Sequence, residues 1–159
     1  MALVLPALLA GLLVAHLRGT GLGSLAVLRG WALLAGGIGA EAFAGGNLWG
    51  AGVATGAFVA WALLNAAACP STILLGLGFA TNFLGLVGGH GRMPVPLPFA
   101  RPAQRHVFAA RPGIFGDAYL LHLGRITVAC SLGDVLLAAG VFGVIAFGVG
   151  FAGGGKMRV

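Results

Sequence analysis

Apolar residues in this chain come in long unbroken runs, not in the alternation of a half-buried strand. The runs fall at 2–17, 31–44, 48–67, 72–87 and 132–152. Runs of that length predict helices. The run at 48–67 suffices alone to cross a hydrocarbon core about 30 Å thick. The others are shorter: 2–17 rises only about 24 Å as a helix, so it is expected beside neighbours that thin the bilayer locally. Run 31–44 reaches full length only if Arg29 snorkels. The breaks are chemically apt. Gly45-Gly46-Asn47 divides the second run from the third, and Asn65, Cys69 and Pro70 divide the third from the fourth.

The region 92–131 reads differently. Five of the seven prolines lie between Pro94 and Pro112, and four arginines fall from Arg101 to Arg125. This predicts an ordered extramembrane loop, with a short interfacial helix around Ala118 to Leu123. Ser131-Leu132-Gly133-Asp134 then gives the spacing of a capping box, which places the start of the last helix there.

Charge sharpens the class. Between Arg29 and Arg92 lie 62 residues with one acid, Glu41, and no Lys or Arg. The whole chain is 8% charged, against roughly 25% for a soluble domain. Lipid is therefore the expected solvent, and the predicted fold class is an all-α polytopic membrane protein of about five spans. It forms a single membrane domain over 1–159, with the loop at 92–131. The first run has no basic n-region and no small-x-small cleavage site, so it reads as a retained span. Five spans put the termini on opposite sides. An outer N-terminus leaves four basic residues inside (Arg18, Arg29, Lys156, Arg158) and the reverse leaves five (Arg92, Arg101, Arg105, Arg111, Arg125), which does not choose. The net charge of +6 is spread over loops and tail without interleaved aromatics, so nucleic acid is not an expected partner. Cys69 and Cys130 fall on opposite sides of this topology, and no disulfide is expected.

The segment Asn82–Val95, NFLGLVGGHGRMPV, together with Phe115-Gly116-Asp117 and Ser131-Leu132-Gly133-Asp134, resembles a group of small bacterial multi-pass membrane proteins, domain-of-unknown-function family 5317. That family's pattern is a helix ending in Asn-Gly-Gly-Arg-Met-Pro-Val, a loop with Leu-Gly-Asp, and a last helix opening with Ser-x-Gly-Asp. Gly91 to Val95, Asp117, Ser131, Gly133 and Asp134 match it. Gly89 and His90 depart from it, as does Phe115. The resemblance covers the C-terminal half. It implies the bacterial cytoplasmic membrane, an outer N-terminus and an outer motif-bearing loop, and it carries no activity.

Several residues stand out as candidates. Arg92, Asp117, Ser131 and Asp134 are expected to form ion pairs and caps that fix the loop over the bundle; the competing reading is a site for an anionic headgroup or a gate. Glu41, the single acid within an apolar run, and Asn82, mid-helix, are the intramembrane polar candidates. Glu41 either serves a proton or cation path or reaches the interface, and Asn82 either ties two helices together or lines a path. Gly52 and Gly56 in a GxxxG, with Gly140 and Gly143, are expected at helix contacts within the bundle or to a partner. The four histidines have no metal spacing, so no metal site is predicted. No hydrolase, P-loop or dinucleotide motif occurs, and an enzyme is the weakest class. A pigment, quinone or haem can be held by one His or by apolar contacts alone, so the cofactor stays open at His16 and His90. The leading expectation is a non-catalytic accessory or scaffolding subunit, with other membrane subunits and lipid as partners. The alternatives are a small homo-oligomeric transporter or channel, and an anionic-lipid binding protein.

Overall fold

The computed structural model describes residues 3–19, 28–43, 47–96, 106–123 and 126–147. Five helices dominate the described residues: α1 (Val4–Leu17), α2 (Trp31–Phe43), α3 (Leu48–Asn65), α4 (Ser71–Gly88) and α5 (Leu132–Phe147). Between α4 and α5 run four short strands, β1 (Met93–Pro96), β2 (His106–Ala109), β3 (Tyr119–Leu123) and β4 (Ile126–Cys130). The fold is thus mostly helical, with strands where an all-α chain was expected. Among the described residues two helices, α3 and α4, each 18 residues, are long and apolar enough to cross a membrane; α1, α2 and α5 are apolar but shorter.

The helices line up in the order α1-α5-α4-α3-α2, each packed chiefly on its neighbours in that row. Their directions follow from the close approaches. Arg29 meets Asn65 and Gly37 meets Phe58, so α2 and α3 are antiparallel. Gly78 faces Leu137, Gly140 faces Leu75 and Gly143 faces Ser71, which makes α4 and α5 antiparallel as well. On α1, Gly11 lies against Ile145 while Arg18 reaches Ala146 and Phe147, so α1 and α5 end on the same side. One end of the bundle therefore gathers Arg18, Arg29, the α3–α4 turn and the end of α5. The other gathers the strands.

Local chemistry explains the helix ends. The Asn47 side chain accepts from Gly50 N at 2.8 Å, an N-cap for α3. At the far end of α3 the buried Asn65 closes the α2–α3 contact. Its Oδ1 accepts from Arg29 N (2.7 Å), and its Nδ2 donates to Arg29 O (3.0 Å) and Trp61 O (2.8 Å). Thr72 Oγ1, fully buried, reaches the carbonyls of Ala62 (2.9 Å) and Cys69 (2.8 Å) and pins the α3–α4 turn. Leu28, Trp61, Cys69 and Val144 form the apolar core at this end.

The strands make two small sheets. β1 and β2 pair in parallel, Met93 opposite His106, and β3 and β4 form an antiparallel hairpin with Tyr119 opposite Cys130. The expected interfacial helix at Ala118–Leu123 is corrected by β3. Tyr-Leu-Leu-His-Leu lies beside the β-branched run Ile126-Thr127-Val128, and the extended pairing satisfies both backbones at once. His122 Nδ1 and Thr127 Oγ1 add a cross-strand contact at 2.9 Å.

Candidate functional site

Three polar residues, Asn82, Ser131 and Asp134, converge where α5 begins. Ser131 is the residue before α5 and is fully buried. Its hydroxyl accepts from Asp134 N at 3.0 Å, and its own N–H donates to Asp134 Oδ2 at 3.2 Å. These reciprocal bonds satisfy two N–H groups at the helix start. The negative carboxylate also lies where the helix dipole is positive. Asn82, on α4, joins from across the seam: Ser131 Oγ donates to Asn82 Oδ1 at 2.6 Å, and Asn82 Nδ2 donates to Asp134 Oδ1 at 3.3 Å. Gly133 makes the approach feasible, because a side-chain carbon there would sit 2.7 Å from Gly78 O and overlap the Asn82 amide.

Cys130 and Asp117 lie near this cluster. Burial pushes the Cys130 thiol pKa up, and the Asp134 and Asp117 carboxylates add to that. Asp117 is 5% exposed, and its N–H donates to Pro94 O at 2.8 Å, tying the β3 approach to β1. Arg92 is exposed, on the turn between α4 and β1. The loop meets α4 at Gly85, where a side-chain carbon would overlap the Phe115 carbonyl and lie 2.8 Å from Met93 Sδ.

The remaining candidates lie apart. Glu41 sits in α2, near its end, and its side chain is outside the described residues. Gly52 packs on the Phe83 ring, whereas Gly56, four residues on, faces open space in this chain. Gly140 and Gly143 lie against Leu75 and Ser71 in the α4–α5 seam. Arg101, Arg105, Arg125, Lys156 and Arg158 lie outside the described residues. Among the described residues no three His, Cys, Asp or Glu side chains converge as metal ligands would. His16, on α1, and His90, in the turn after α4, are both exposed.

A cavity of about 170 Å³ adjoins the polar cluster between α3, α4 and α5. Asn82 and Asp134 line it together with Thr55 and the rings of Phe58, Phe79 and Phe83. Phe58 and Phe79 stack with centroids 3.9 Å apart. Asn65 and Thr72 are buried polar residues that the sequence pattern does not single out; their partners are main-chain atoms, which leave no side-chain signature.

Comparison with protein-family models, curated proteins and solved structures gives no match.

Proposed function

We propose that this chain is a non-catalytic accessory or scaffolding subunit of a larger bacterial membrane complex, crossing the bilayer five times and related to the family its motifs resemble. The observation that carries this reading is the destination of its polar groups. Asn82, Ser131 and Asp134 are engaged with one another across a helix seam, as structural ties are. The alternating directions of α2 to α5 suit a bundle of spans. The edge of the row suits a neighbour: α1 exposes Leu5, Leu9 and Leu13, one stripe at a spacing of four residues.

The test is a mild-detergent pull-down of the tagged protein, resolved on a native gel with mass spectrometry of what accompanies it. A stoichiometric set of other membrane subunits is the expected result. A discrete homo-oligomer without partners would overturn the reading.

A second reading, a small homo-oligomeric transporter, draws on the cavity beside Asn82 and Asp134. It expects Glu41→Gln to abolish flux in liposomes without lowering expression. The accessory reading expects that variant to be mild.

A further inference from the structure

A second cleft lies at the strand-bearing end, and none of Asn82, Ser131 and Asp134 lines it. It encloses about 390 Å³ between the end of α4 and the segment 107–116. Its walls are largely apolar: Leu84 and Ile114, half-exposed or more, face it, with Phe115 beside them. Arg111 and His90 bring hydrogen-bond donors to the same cleft, and both are exposed. No acid is among the described residues that line it.

His90 adds an independent observation. Its φ is 53°, and it is the one non-glycine residue with positive φ among the described residues. An imidazole-bearing residue thus stands where glycine would sit without strain, on the lining of the cleft that Arg111 also lines. Non-glycine residues in this left-handed region cluster at active sites and ligand clamps. Below the cleft, Ile73, Leu77 and Leu84 run exposed along one face of α4, which gives an apolar track leading up to the two donors.

We infer that this cleft seats an anionic phospholipid. The Arg111 guanidinium meets the headgroup phosphate with its paired N–H groups, the His90 imidazole donates beside it, and an acyl chain lies along Leu84 and Leu77. The predominantly apolar wall is what selects a lipid over a free anion. The inference rests on the membrane-spanning reading.

The experiment has two stages. Alkaline carbonate extraction of membranes comes first: release of the chain would sink the spanning reading and this inference with it. Protein that stays is purified, and native mass spectrometry compares retention of added phosphatidylglycerol and phosphatidylcholine. One phosphatidylglycerol per chain, held in preference to phosphatidylcholine, is expected. Arg111→Gln should weaken that retention about fivefold, the order for one basic residue near a lipid surface. His90→Gly should also weaken it while the melting temperature stays level or rises, because the backbone strain is relieved. Equal retention of both lipids, or retention unchanged in both variants, would overturn the lipid site alone. So would displacement of the lipid by inorganic phosphate, which would mark a site for free anion.

Discussion

Two seams of this bundle are each closed by one asparagine, and the two asparagines work differently. Asn65, between α2 and α3, spends no bond on another side chain; it binds the N–H and carbonyl of Arg29 and the carbonyl of Trp61. Asn82, between α4 and α5, binds only side chains, those of Ser131 and Asp134. A backbone clamp fixes where a chain passes whatever residue stands there. A side-chain latch fixes which residues must stand there. The first makes one residue indispensable, and the second spreads the dependence over three.

The largest expected effect breaks the clamp. Asn65→Leu removes three hydrogen bonds and strands two backbone groups of Arg29, so it should destabilise by about 3 kcal/mol. Thermal unfolding in detergent measures this, and a loss below that of Asn82→Ala would reverse the comparison. Gly140→Val comes next. Its new methyls would press on Leu75, whose backbone N lies 2.8 Å from a side-chain carbon built at Gly140, costing about 1–3 kcal/mol by overpacking. Asn82→Ala and Ser131→Ala should each cost about 1–2 kcal/mol, and the double variant less than their sum, since they share a bond. Strict additivity in that cycle would mean the latch is no unit.

The smallest effect is a pH dependence. The Cys69 and Cys130 thiols both have pKa values raised from 9.0, chiefly by burial. The folded state therefore holds these protons more tightly than the unfolded one. The stabilisation this gives is complete below the unfolded thiol value and fades as pH rises through it toward the raised folded value. Stability should thus decline in alkaline buffer, and replacing both cysteines with alanine should flatten that decline.

How much of this was legible in the sequence depended on the kind of contact. The apolar runs located the helices because a helix that is apolar on every face leaves an unbroken run in the sequence. Ser131-x-x-Asp134 pointed to a helix start, and α5 does begin at Leu132. The strands were not legible. Five residues from Tyr119 to Leu123 are too few for periodicity to separate strand from helix, and only the partner at Ile126–Cys130 decides it. Asn65 was opaque for another reason: a side chain that binds main chain 36 residues earlier leaves no complementary residue to find.

The place of α1 has a consequence in time. Its main neighbour is α5, which leaves the ribosome after every other described element. At synthesis rates of about 5–20 residues per second, α1 waits several seconds with the Gly11 face uncovered. Until Leu132 to Phe147 has been made, that face of α1 has no partner to pack on, and a ribosome stalled before Leu132 would leave it so.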